Sequence, residues 1–276
     1  MAITAQLVKQ LRDLTNAGMM DCKKALTETN GNLEEAVEIL RKKGMATAAK
    51  RADREANEGI IFLKVSEGNN YGSMVELNCE TDFVARNENF TEFGDKIVAY
   101  ALENKISSKE DLENAVVDGK SIKEESVDLI GKIGEKIEIG KVVTIGSDDT
   151  TIGQYLHMDK KVAVLAEATT GIDADVLKDI TLQIASMKPI AVSKDDLSPE
   201  EVEKEKNFLI DQLKEDPKNA KKPQEILEKI VGGRLNKHFA EICLVDQTFV
   251  KDSSKSIKEI LGDSKILRFT RIGIGR

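Results

Sequence analysis

The chain reads as an α+β protein, and three features of its patterning say so. Residues 1–44 carry helical periodicity broken by cap residues. From Gly59 the apolar period drops to two, in paired runs that lead into a helical stretch. That order of strand, strand, helix appears twice, with a charged helical insertion inside the second copy. The expected architecture is a three-helix N-terminal domain, a duplicated α+β core with antiparallel strands, and an inserted antiparallel helical hairpin.

In the N-terminal domain (1–44), Thr4 is a natural N-cap, with Ile3 and Val8 placed as a hydrophobic staple. Leu7, Leu11 and Leu14 repeat on one face, and Asn16-Ala17-Gly18 breaks the helix. The second helix carries Ala25 and Leu26 and closes at Asn30-Gly31, a left-handed cap signal. Asn32 and Glu35 open the third, with Ala36, Ile39 and Leu40 inward and Gly44 as its stop. So small a core is marginal alone and suits a module that binds something. Met19 and Met20, between its first two helices, either adapt to a partner surface or plug the bundle. Residues 45–58, Ala-rich and charged, read as a linker.

The first half of the core (59–140) opens with a hairpin, Ile60–Val65 and Tyr71–Cys79, around Glu67-Gly68-Asn69-Asn70. The second strand ends in a polar corner, Thr81-Asp82-Phe83-Val84, before a helix carrying Phe90, Phe93, Ile97, Val98, Ala101 and Leu102. Two readings fit the corner. Either Asp82 caps the helix and Phe83 plugs the core, or an acid and an aromatic stand exposed on a turn. Polar helical stretches over 105–139 follow, with Val127, Ile130 and Ile133 on one face.

The second half (141–193 and 238–276) repeats the order, with strands at Gly153–His157 and Val162–Ala168 and a helix over Asp173–Met187. Its corner, Ala168–Gly171, lacks the acid–aromatic pair, so a shared fold does not demand one. A third, weaker echo runs from Ile242–Val245 through Gln247-Thr248-Phe249-Val250 to a helix at Ser254–Leu261. In the insertion (194–237), Ser198-Pro199-Glu200-Glu201 starts a helix striped by Val202, Leu209 and Leu213. Asp216-Pro217 ends it, and Pro223 opens a return helix with Ile226 and Ile230. This narrow-striped, coiled-coil-like pair is a spacer, a protein contact or a solvated hairpin.

A third of the 276 residues are charged, Trp is absent, and the formal net charge is −8. That balance argues against a broad phosphate-binding surface, hence against direct nucleic-acid binding. The tail from Leu267 with Arg268, Arg271 and Arg276 is basic but short. Cys22, Cys79 and Cys243 are scattered and read as reduced thiols, and no apolar run suits a signal peptide or a membrane span, so a cytoplasmic protein is expected. With two histidines remote from the cysteines, neither a metal site nor a cofactor is expected.

Catalytic motifs fail one by one. Gly134 to Gly140-Lys141-Val142 misses the phosphate-loop spacing and its magnesium-binding hydroxyl. Asn236-Lys237-His238-Phe239 lacks the acid of a guanine-reading loop, and neither His157 nor His238 has a nucleophile partner. Absence of these motifs does not exclude catalysis, but it favours a protein whose activity is contact with another protein.

Two stretches carry a family resemblance. Leu11-Arg12-Asp13-Leu14-Thr15-Asn16-Ala17-Gly18-Met19-Met20-Asp21-Cys22-Lys23-Lys24-Ala25-Leu26 and Glu76–Arg86 closely resemble the signature segments of bacterial translation elongation factor Ts. The resemblance covers nearly the whole chain and implies a ubiquitin-associated-like N-terminal domain. It also implies binding to the GTPase elongation factor Tu and exchange of its GDP for GTP, with no covalent chemistry of its own. Asp82 and Phe83, between Thr81 and Val84, match the element that intrudes beside the partner's magnesium. Arg12, Met19 and Met20 match the segment that grips the nucleotide domain, and His157 a contact away from the nucleotide. Thr248 stands where the family often has Pro, and the chain stops at Gly275-Arg276, where some members carry a further helical module, so that module's contacts are expected to be missing. A non-catalytic adaptor is the alternative. A homodimer, paired through the hairpin or a sheet edge, is left open.

Overall fold

The computed structural model describes residues 3–15, 17–215 and 222–275. The expected breaks at Asn16 and Asp216-Pro217, and the last arginine of the tail, Arg276, fall partly or wholly outside them. Three helices open the chain: α1 (Ala5–Thr15), α2 (Met19–Glu28) and α3 (Leu33–Arg51). Thr4 Oγ1 accepts the Leu7 amide at 3.2 Å, and the Asn32 side chain accepts the Glu34 and Glu35 amides. Gly31, at φ 89°, donates its amide back to the Leu26 carbonyl at 2.8 Å, closing α2 as expected. Val8, Leu11, Cys22, Ala25, Leu26 and Ala36 make the small core, while Leu14 turns outward.

Gly44 does not stop α3, which runs on to Arg51 through half of the expected linker. The reason is packing. Gly44 is buried against α7 (Ile122–Ile133), and a Cβ on Gly131 would lie 2.9 Å from Gly44 Cα. Two glycines let the helix backbones nearly touch, and Arg41 pairs with Glu124 across the same crossing.

The core is a tandem repeat. Its first half runs β1 (Glu58–Val65), β2 (Tyr71–Cys79), α4 (Asp82–Ala85), α5 (Glu88–Glu103), α6 (Lys109–Asn114), β3 (Val116–Val117), β4 (Lys120–Ser121), α7 and β5 (Ile137–Gly146). The second runs β6 (Thr150–Leu156), β7 (Val162–Thr169), α8 (Ala174–Met187), the insertion α9 (Pro199–Glu215) and α10 (Gln224–Ile242), then β8 (Thr248–Phe249), β9 (Asp252–Ser256), α11 (Ile257–Leu261) and β10 (Ile266–Gly273). In each half the last strand returns to the second strand of the hairpin, giving antiparallel sheets of order β1-β2-β5 and β10-β7-β6.

The third echo is therefore not a third unit. β8-β9-α11-β10 is the second half's counterpart of β3-β4-α7-β5, and the chain marks it with an identical pentapeptide, Lys-Ser-Ile-Lys-Glu at 120–124 and 255–259. In both copies the serine caps the helix and the glutamate returns to the serine amide. The strand expected at Ile242–Val245 is a single bridge, Ala191 to Cys243, followed by a 3-10 turn. β5 crosses the expected boundary at 140, and α10 continues past the expected end of the insertion at 237.

The two sheets stack. Ile61, Met74, Ile152, Leu165 and Ile272 fill the space between them. The outer face of the first carries Phe62 and Leu77 beneath Phe90 and Ile97 of α5, and that of the second carries Val164 and Ala166 beneath Ile180 and Ile184 of α8. Strands buried on both faces explain why the alternation is only half visible in the sequence.

Candidate functional site: the corner after strand β2

β2 ends at Cys79, whose buried thiol donates to the Thr81 carbonyl at 3.1 Å. Burial first, then the nearby Glu135 carboxylate, pushes that thiol up to about 12, so it stays neutral. Thr81 is extended, and its hydroxyl accepts the Val84 amide at 3.4 Å as the N-cap of α4. Asp82 is therefore not the cap. It lies in the first helical turn, where a carboxylate suits the amide dipoles, and it accepts from Arg86 at 3.2 Å. Nor is Phe83 a plug: it is 82% exposed, while the next two residues, Val84 and Ala85, enter the core.

Two acids that sequence reasoning passed over brace this corner. Glu135, just beyond the left-handed Gly134 that ends α7, accepts the Thr81 amide at 3.1 Å and its hydroxyl at 2.9 Å. Glu80 accepts the Lys136 amide at 2.6 Å and pairs with Arg51 and Arg54, each at 2.9 Å. The Lys136 amide leads, and with the two arginines it outweighs partial burial, holding Glu80 down to about 2. Only a fold-level alignment of the two halves could have singled these acids out among 49.

The other expected residues cluster loosely around this end. Arg12 is exposed on α1; burial lowers the Lys132 pKa, Glu92 opposes that shift, and the Arg12 charge adds to it. Lys132 in turn donates to the Asn89 side chain, joining the adjoining ends of α7 and α5. Met19 and Met20 open α2 and are exposed rather than inside the bundle. Beside them Leu14 and Asp21 face Asn89, Phe93 and Lys132 across a cleft of about 550 Å³ between the helical domain and the core. His157 follows β6, with Nδ1 2.8 Å from the Tyr155 hydroxyl. Its turn reaches the same end of the sandwich: Lys161 pairs with Glu58 at 2.6 Å, and Glu58 lies opposite Cys79. Among the described residues no group of three or more His, Cys, Asp or Glu is placed to hold a metal, and no helix is long and apolar enough to cross a membrane.

This is the architecture of an α+β factor whose distinctive chemistry is an exposed aromatic on a braced turn. A sequence model of the family described as Elongation factor TS matches residues 80–276, beginning on that turn. An elongation factor Ts of Alkalilimnicola ehrlichii is 44% identical over 277 aligned residues, covering 100% of this chain and 93% of its own. Those of Hydrogenovibrio crunogenus and Chloroherpeton thalassium are each 43% identical, covering 100% and 95% of this chain and 92% of their own. The chain belongs to the elongation factor Ts family, and is thus a translation elongation factor.

Proposed function

We propose that this chain binds the GTPase elongation factor Tu and promotes exchange of its bound GDP for GTP, with Asp82 and Phe83 entering beside the partner's magnesium and nucleotide. The observation that carries the reading is the exposure of Phe83, 82%, on a turn anchored by the buried Val84 and Ala85 that follow it and by a clamped cap. A large apolar side chain held out rigidly loses little further freedom on insertion. GDP and magnesium are held by oriented amides and a hard cation that compensate phosphate charge, and a wedge that shifts those supports weakens both. By linkage, GDP must then weaken the factor as much as the factor weakens GDP, about 1–3 kcal/mol in ordinary couplings. Arg12, Met19 and Met20 grip the nucleotide domain, and His157 makes a contact remote from the nucleotide. No covalent step belongs to this chain.

Catalytic amounts of the protein are expected to accelerate release of a fluorescent GDP from the GTPase. No acceleration at micromolar concentration contradicts the reading. An adaptor would bind the partner equally with and without GDP, whereas here excess GDP must displace the factor.

A further inference from the structure

The two halves of the core compare one corner in two settings. In the second half Lys265, before β10, donates its amide to Thr169 Oγ1 at 3.1 Å. In the first half Lys136, before β5, donates its amide to Glu80 Oε1 at 2.6 Å. The registers make these positions equivalent, because Ala168 pairs with Ile266 and Cys79 with Ile137. A threonine suffices for that amide, so the fold alone does not call for an acid at Glu80.

What the acid adds is a grip on the N-terminal domain. Its two oxygens take Arg51, the last residue of α3, and Arg54, one turn beyond. The Arg51 and Glu80 side chains are mostly buried, at 23% and 17% exposure, so this pairing is screened far less than a surface ion pair. Lys136 adds a second tie, donating from Nζ to the Arg54 carbonyl at 2.9 Å. Glu80 stands two residues before Asp82 and directly before Thr81. The exit of α3 and the exposed turn are thus fastened to one carboxylate.

We infer that Glu80 is a positioning residue: through Arg51 and Arg54 it latches the N-terminal domain to the corner, so that a GTPase gripped by that domain meets Asp82 and Phe83 at a fixed angle and reach. The inference rests on the exchange function proposed above. Its physical content is preorganisation: without the latch the same groups are present, but their relative placement must be fixed during each encounter.

The test uses the full chain with Glu80→Thr, the residue the second half uses, so the Lys136 amide keeps an acceptor. At saturating factor, release of fluorescent GDP is expected to slow about tenfold while the half-saturating concentration changes less than about threefold. Arg51→Ala with Arg54→Ala leaves Glu80 and its amide bond in place, serves if Glu80→Thr does not fold, and should give the same slowing. Combining all three should add nothing further. In the free protein, hydrogen exchange at the amides of residues 49–54, at the exit of α3, should rise in either variant. Wild-type release rates in these variants, alongside slow release by Asp82→Ala/Phe83→Ala, overturn the latch and leave the exchange reading intact. Additive losses also overturn it. If the unaltered protein speeds no release, the exchange reading fails, and unchanged hydrogen exchange at residues 49–54 overturns the latch independently.

Discussion

Glu135 holds Thr81 by both of its donors, the amide at 3.1 Å and the hydroxyl at 2.9 Å. The end of α7 thereby fixes the residue that caps α4, and the Asp82-Phe83 turn has little room to flex. Glu135→Ala leaves the Thr81 amide without this acceptor in a half-buried setting. The expected cost is about 1–3 kcal/mol of stability in urea unfolding, with GDP release slowed as the turn loosens. Glu135→Gln, which still accepts, should fall between. A variant as stable and as fast as the unaltered protein contradicts the bracing.

Glu80 gives a pH signature of its own. Its folded pKa is depressed to about 2 from an ordinary 4.5, so its pairing stabilises the fold fully above about pH 4.5. That contribution is lost as pH falls toward 2, where the carboxylate protonates in the native state as well. The difference in unfolding free energy between the unaltered protein and Glu80→Gln should be flat from pH 5 to 7 and shrink below pH 4.5. A difference that persists to pH 2 contradicts the assignment.

Helical glycines in two settings should respond with opposite signs. At Gly131 an added Cβ meets Gly44 Cα at 2.9 Å, backbone against backbone, so Gly131→Ala must force α3 and α7 apart. Overpacking of this kind costs about 1–3 kcal/mol, and the thermal midpoint should drop. At Gly232, inside α10, nothing lies within 4 Å of the added carbon. Gly232→Ala should raise helix stability by about 0.8–1 kcal/mol from propensity alone. Destabilisation at Gly232 would mean the helix is not packed as described.

How much of this was legible in the chain depended on whether local chemistry or distant contact decides each feature. Thr4, Asn32, Ser198 and Gly31 act within a few residues of themselves, and each forms the cap its type predicts. Gly44 was misleading because its partner, Gly131, is remote in sequence: glycine punctuates a helix or admits another one, and only the contact tells which. β5 and β10 pair with β2 and β7 rather than with neighbours in the chain, so strand order could not be read from element order. The repeated Lys-Ser-Ile-Lys-Glu would have revealed the true period of the duplication. At the corner itself, periodicity left Phe83 balanced between plug and exposed side chain. Burial of Val84 and Ala85 decides it.

The central claim is that Asp82 and Phe83 act on the partner's nucleotide rather than hold this protein together. Phe83 is exposed and Asp82 pairs with the exposed Arg86 at the surface, so Asp82→Ala/Phe83→Ala should leave stability within about 0.5 kcal/mol of the original. The decisive measurement is the rate of fluorescent GDP release from elongation factor Tu at saturating concentrations of the unaltered and doubly substituted proteins. The account predicts a far slower saturated rate for the double variant with a smaller loss of affinity for the GTPase. An unchanged saturated rate, with the loss confined to affinity, would contradict it.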